Sequence, residues 1–529
     1  MRALTTAVGL GALVVASSAL AASPPRLVLL VAVDQLRRDR LDEGLPGGLG
    51  RIAREGRVFV DAMLDHAATE TCPGHATMLT GRHPGPIGIT SNTWIDLETG
   101  ERRYCVDDPS PDAAVIGGGT LPLDGRSPRA LEAESLGDWM KAARPGTRVF
   151  AVSAKDRAAI TLGGQRPDGV YWLGLGDVTG FTTSRYYADE LPAWVRAWNA
   201  GLAERVPDTW RHATSPADDQ PGESEDHARA SPHPLRDDDP EEFALNLYHS
   251  PFVDLTTLGF VRRLVEVEGV GKGEGTDLLA VSLSGTDSVG HLYGPGSLES
   301  QDALERLDHG LGELLSFLEE RTGGRLVVAL TSDHGVLPLP ERLVARGELT
   351  CPLPGGRVGL IRLVLGLYWD LYWELSPWSW PGAWMNVASQ LSVDRDLAAE
   401  HGVAVEDVVA AAERSLEAHP AIREAWTRRE IAEGESDWAR LYRNSAGPRS
   451  GDLAVQPEPT CLLDFAGAGT THGTPYAYDR EVPLVFWGSG IEAGRTPGPA
   501  ATIDIAPTLA GRVGLAIPDG LDGRDLLAP

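Results

Sequence analysis

Five short apolar runs set the limits on what this chain can become, and four of them run straight into charged or metal-ligating residues. The runs are Leu27–Val33, 148–152, 278–283, 326–330 and 483–487. Each is the length of a strand, and none alternates polar with apolar, so each reads as a parallel strand buried on both faces. Helical patterns at 135–143 and 302–320 lie between some of them. Strands that alternate with helices predict an α/β fold, a mostly parallel central sheet with helices on both faces. The residues just past the strands are more telling. The first run ends in Asp34, and the second leads into Lys155-Asp156-Arg157. The third leads into Asp287 and His291, and the fourth into Asp333-His334. Ligands of open α/β sheets sit outside the carboxyl ends of the strands, so one edge collects all of this chemistry.

At 529 residues the chain exceeds what a single core usually holds. The prediction is one catalytic domain in three parts, 22–166, 246–339 and 457–529, interrupted by two insertions. The first, 167–245, is polar, acidic and contains several tryptophans. The second, 340–456, holds a Trp-rich stretch and a helical pattern at 405–418. Both are expected to cap the site. Residues 1–21 read as a signal peptide: Arg2 at the start, a short apolar run at 7–15, and Ala19-Leu20-Ala21 as a small-x-small cleavage pattern. That apolar run is too short to span a bilayer, so the mature chain is expected in the periplasm or beyond, with no membrane span and as a monomer.

The formal net charge of −28, with no basic stripe, argues against a nucleic-acid partner. An acidic body also repels anionic substrates, so an enzyme acting on phosphate esters needs strong local positive charge. Asp and His suit Zn²⁺, and paired ions clamp a phosphoryl group during displacement. The candidate ligands are Asp34, Asp287, His291, Asp333, His334 and His472. Thr71-Cys72-Pro73-Gly74-His75 precedes a helical stretch. A hydroxyl at a helix N-terminus faces free N–H groups, where phosphate oxygens bind well.

Seven segments, in order, carry a family resemblance: Val33-Asp34-Gln35-Leu36-Arg37, Thr71-Cys72-Pro73-Gly74-His75, Ser91-Asn92-Thr93-Trp94, Lys155-Asp156-Arg157, Thr286-Asp287-Ser288-Val289-Gly290-His291, Ser332-Asp333-His334-Gly335 and His472-Gly473-Thr474-Pro475-Tyr476. With these the chain resembles the alkaline phosphatase superfamily, and within it the phosphate-irrepressible (PafA-like) alkaline phosphatases. Two positions depart from the family's pattern, Ser91 for glycine and Arg38 for an aromatic.

The resemblance implies a zinc-dependent phosphomonoesterase with two Zn²⁺. Asp287, His291 and His472 would hold one ion; Asp34, Asp333 and His334 would hold the other, with Thr71 as its reactive ligand. Asn92 and the backbone N–H at the start of the Thr71 helix would bind phosphoryl oxygens, and Lys155 and Arg157 would take the remaining ones. The substrates implied are small-molecule phosphate esters, split through a phospho-threonine intermediate. A type I phosphodiesterase or nucleotide pyrophosphatase shares the fold, both metals and the threonine; Lys155 and Arg157 favour the dianionic monoester. A sulfatase would need Cys or Ser at the nucleophile followed by x-Pro-x-Arg. A non-catalytic phosphate-binding module would lack a ligand or the nucleophile, and none is missing. Of the four cysteines, Cys351 and Cys461 are expected to pair at the second insertion, and Cys72 to be a small buried thiol beside the nucleophile.

Overall fold

The computed structural model describes residues 24–41, 44–117, 125–175, 179–211, 222–223, 232–375, 384–464 and 467–528. The signal peptide expected at 1–21 lies outside them. At the centre is a ten-stranded sheet. In chain order its strands are β1 (Leu27–Val33), β2 (Arg57–Ala62), β3 (Val115–Ile116), β4 (Val149–Ser153), β5 (Gly169–Gly174), β6 (Gly180–Ser184), β7 (Asp277–Leu283), β8 (Leu326–Thr331), β9 (Leu484–Gly488) and β10 (Gly494–Ala500). Across the sheet they run β10-β2-β9-β8-β1-β7-β4-β5-β6-β3. The central strands from β8 to β5 are all parallel.

Both faces are covered. The helices that build the core and the site are α1 (Thr71–Thr80), α2 (Asp156–Gly163), α3 (Phe252–Glu268), α4 (Gly285–Tyr293), α5 (Leu298–Thr322), α6 (Leu360–Leu375) and α7 (Val405–Glu417). Every residue of β1, β4, β7 and β8 is buried. Successive side chains of β1 point to opposite faces. Leu27, Leu29, Val31 and Val33 pack with Phe260 and Leu264 of α3 and Leu311 and Leu315 of α5. Val28, Leu30 and Ala32 pack with Met78 and Leu79 of α1 and Ile160 of α2. Each such side chain contributes about 1.5–3 kcal/mol by leaving water. A charge in the middle of β1 would have no polar escape on either face. That rigidity fixes where Asp34 emerges.

Two expectations about the sheet need correction. The sequence predicts β9 as a parallel strand, but it runs antiparallel to β8 and β2. An apolar run buried on both faces carries no mark of its direction. Residues 167–245 do not begin an insertion at 167, because β5 pairs in parallel with β4 and β6 extends the same sheet. The apolar Val170-Tyr171-Trp172-Leu173 of β5 is buried, although polar segments surround it in sequence.

Within residues 357–464 lies a sheet with its own hydrophobic core. Strands Met385–Val387, Leu391–Val393, Ile422–Thr427 and Leu453–Pro457 form an antiparallel sheet, and α6 and α7 pack on it through Leu367, Leu371, Val408 and Leu416. Cys351 pairs with Cys461 as expected. Cys72 is not a free thiol. It pairs with Cys105, their Cα atoms 6.6 Å apart, because the hairpin of Thr93–Ile95 and Arg102–Tyr104 folds back over the start of α1. Among the described residues no helix is long and apolar enough to cross a membrane.

Candidate active site

Four parallel strands deliver the residues after them to one edge of the sheet. After β1, Asp34 is held by its own N–H, which donates to the Leu283 carbonyl at 2.9 Å. The chain then turns through Gln35 at φ 66°, a left-handed conformation that is costly for a residue with a Cβ. The strained turn aims Gln35 at two other carboxylates. Its N–H donates to Asp333 Oδ1 at 3.1 Å and its Nε2 to Asp287 Oδ1 at 2.7 Å. Gly290 on α4 makes room for it, since a Cβ there would stand 1.9 Å from Gln35 Oε1.

Asp287 and His291 sit one turn apart on α4, with His291 Nε2 3.1 Å from Asp287 Oδ1. His472 joins them from a distant loop, its Nε2 3.8 Å from the same oxygen. Asp333 and His334 come after β8, and His334 Nε2 lies 3.2 Å from Asp333 Oδ2 and 3.6 Å from Asp34 Oδ1. In all three histidines Nδ1 meets a backbone carbonyl: Thr470 for His291, Gly335 for His334 and Thr69 for His472, at 2.7, 3.0 and 2.7 Å. That places the proton on Nδ1 and turns the Nε2 lone pair toward the carboxylates, the arrangement of a metal-binding histidine.

The six residues therefore fall into two groups, Asp287 with His291 and His472, and Asp34 with Asp333 and His334. Within each, one ligand atom per residue lies within 4.8 Å of the others. Asp34 Oδ1, Asp333 Oδ2 and His334 Nε2 are buried with no hydrogen-bond partner. Burying such atoms is costly unless something coordinates them, so the donor set fits a metal ion.

The electrostatics agree. Burial raises the Asp34 carboxyl well above its usual range, and the Asp287 and Asp333 carboxylates raise it further. For Asp287 burial is outweighed by His291 and Lys155, and its carboxyl is held well below the usual range. Burial keeps His334 and His472 neutral by lowering both imidazoles. His291 moves the other way, because the adjacent Asp287 outweighs its burial.

The nucleophile candidate stands at the first position of α1, after Glu70 as N-cap. Gly74 lets α1 press against the backbone after β8, because a Cβ there would be 2.3 Å from the Asp333 carbonyl oxygen. Asn92 is locked beside it: Oδ1 accepts from the Cys72 N–H at 2.8 Å, and its own N–H donates to Glu70 Oε2 at 2.7 Å. One helix-start N–H is thus taken by Asn92 Oδ1.

Lys155 and Arg157 come from the start of one helix, not from an extended loop. Lys155 is the N-cap of α2 and Arg157 lies in its first turn. Lys155 Nζ donates to Asp34 Oδ2 and Asp287 Oδ2, both at 2.5 Å, so it bridges the two ligand groups. Arg157 Nη2 is 3.4 Å from the Thr71 hydroxyl, and Nη1 is 3.3 Å from the Tyr104 hydroxyl. Tyr104 donates to Asp156 at 2.5 Å, and Arg126 donates to the other Asp156 oxygen at 2.8 Å.

All ten sequence candidates thus meet in one place. Sequence reasoning missed the roles of Gln35, Glu70, His75 and Tyr104. Gln35 and His75 lie inside matching motifs, and the buried His75, with Nδ1 3.3 Å from Asp333 Oδ2, is legible as a polar residue in an apolar helix. Glu70 and Tyr104 carry no signal.

Residues 28–475 match the type I phosphodiesterase / nucleotide pyrophosphatase family. The chain is 34% identical to alkaline phosphatase PhoK of Sphingomonas sp, over 96% of this chain and 92% of the relative. It is 30% identical to alkaline phosphatase PafA of Elizabethkingia meningoseptica, over 95% and 94%. The crystal structure of wild-type alkaline phosphatase PafA superposes with a TM-score of 0.87 at 27% identity, covering 95% of this chain and 98% of that one. The chain belongs to the type I phosphodiesterase / nucleotide pyrophosphatase family and, within that superfamily, to its PafA-like alkaline phosphatases.

Proposed function

We propose that this phosphatase is a two-zinc phosphomonoesterase with Thr71 as its nucleophile. The observation that carries the reading is the meeting of two Asp/His triads with a threonine hydroxyl that Arg157 approaches to 3.4 Å. When bound, Zn²⁺ held by Asp287, His291 and His472, and Zn²⁺ held by Asp34, Asp333, His334 and Thr71, would supply Lewis acidity to the attacking and leaving oxygens.

The chain's own groups do the rest. The Thr71 hydroxyl gives up its proton to solvent as its oxygen bonds to phosphorus, while the ester oxygen departs on the opposite side and takes a proton from solvent, leaving a phospho-threonine and the free alcohol. Water then bonds to phosphorus from the vacated side and loses a proton, the Thr71 oxygen departs and regains one, and inorganic phosphate is released. Asn92 Nδ2 meets one phosphoryl oxygen. Arg157, held on its other edge by Tyr104, is placed for the dianionic end of a monoester, where a preorganised donor stabilises developing charge. Lys155 adds a second positive charge between the metal ligands. The names borne by PhoK and PafA agree with this reading. The alternative activity, phosphodiester cleavage, is the one in the family's description; two cations around one phosphoryl site suit a dianion better. Export to the periplasm or beyond, as a monomer, completes the proposal.

The test is steady-state turnover of a phosphate monoester and a diester by purified, metal-replete protein. A higher kcat/KM for the monoester, lost on chelation and restored by Zn²⁺, is expected. A preference for the diester, or full activity of metal-free protein, would sink the reading.

A further inference from the structure

A cavity of about 170 Å³ lies where the second insertion meets the catalytic core. Leu360, Leu363, Val364 and Leu367 of α6 form one wall, and Val387 and Leu391 of the insertion's sheet another. No Asp, Glu, Lys or Arg is among the described residues that line it. In a chain of net charge −28 that is an unusual surface to leave uncharged.

Two of its rims touch the catalytic site. On one side is Ser389, whose Oγ donates to Glu70 Oε2 at 3.0 Å and whose N–H donates to the Thr93 carbonyl at 3.3 Å. Glu70 and Thr93 are the chain neighbours of Thr71 and Asn92. On the other side is His472, which belongs to the first ligand triad and whose ring stacks on His334 with centroids 3.5 Å apart. The cavity thus meets the catalytic site directly at His472, and through Glu70 and Thr93 at Ser389; among its lining residues His472 is the one that belongs to the ligand triads.

We propose that the cavity is the leaving-group subsite and that it takes one aromatic ring, so that aryl phosphate monoesters are the preferred substrate class. The inference rests on the phosphomonoesterase reading. Size supports it, since an apolar cavity of about 150 Å³ accepts benzene. Lining supports it too: a polyol or a charged head group would leave its hydrogen-bonding groups unpaired against leucine and valine. The polar lining residues, Ser389, Gln390, Thr471, His472, Thr474 and Tyr478, are outnumbered by apolar ones and supply the polar groups that orient such a ligand.

The probes are phenylphosphonate and methylphosphonate, which cannot be hydrolysed, titrated calorimetrically into the zinc-replete protein. Because both carry the same phosphonate head, their affinity ratio reads the cavity alone. Wild type is expected to bind the phenyl compound roughly tenfold or more tightly than the methyl compound, the scale of a filled apolar pocket. Val364→Trp and, independently, Val387→Trp fill the space and should bring the ratio toward one. A wild-type ratio within about twofold of one, or a ratio that both variants leave unchanged, overturns the proposal. If neither phosphonate binds wild type, the phosphoryl site itself is refuted and the subsite falls with it.

Discussion

Arg157→Ala separates monoester from diester chemistry. The guanidinium is half-buried, with Nη2 3.4 Å from the Thr71 hydroxyl and Nη1 3.3 Å from the Tyr104 hydroxyl. It is therefore preorganised and loses little freedom on binding. At such a separation a full positive charge and a full negative charge interact by about 4 kcal/mol at an effective dielectric of about 20. Part of that is present with bound substrate, and the part that grows in the transition state is what deletion removes. Loss of one such donor costs roughly 10²–10³ in turnover. A diester places about half the charge on its non-bridging oxygens, so the same substitution should cost it half the free energy, roughly 10–30-fold. The monoester-to-diester ratio of kcat/KM should then fall by about 10–30-fold. The assay is steady-state kinetics of one aryl monoester and its methyl diester on both proteins. Equal losses, or none for either substrate, would refute the assignment of Arg157 to the monoester's extra charge.

Tyr104→Phe removes the hydroxyl between Arg157 and Asp156, and monoester kcat should fall about tenfold while zinc content stays at the wild-type level, read by kinetics and metal analysis. An unchanged kcat would show that Arg157 holds its place without Tyr104. Asp254 is buried against the start of α4, where it accepts the Gly285 N–H at 2.8 Å, and burial pushes its carboxyl up to about 7. The folded protein thus holds this proton more tightly than the unfolded chain, so Asp254 costs nothing at low pH and destabilises progressively from about pH 4 to about pH 7. Asp254→Asn should remove that loss, so the Tm of the variant should gain on wild type between about pH 5 and about pH 8; a constant difference across that range would contradict the shift.

The parts of the fold legible in the sequence are those whose environment is uniform. β1 is readable to the residue because burial on both faces demands an unbroken apolar run, and Asp34 is conspicuous for ending it. The direction of β9 is not readable, since burial on both faces looks the same in either sense. β5 is hidden because its apolar run is short and flanked by polar loops. In the site, the six Asp and His candidates stand out by type, and the family resemblance is what groups them into the two triads. Supporting residues do not. Glu70 works through the backbone of Asn92, and Tyr104 reaches Asp156 from 52 residues away. Cys105 gives no hint that it meets Cys72, because their pairing depends on how a hairpin folds over α1.

The central claim is that Thr71 carries the phosphoryl group between two in-line displacements. Each in-line displacement inverts phosphorus, so two in succession return the original configuration, whereas direct attack by water inverts it once. The measurement is the stereochemical course of phosphoryl transfer from an isotopically chiral phosphate monoester to an acceptor alcohol, catalysed by the zinc-replete protein. Net retention at phosphorus is predicted. Net inversion would mean a single displacement, and would remove Thr71 from the role assigned to it.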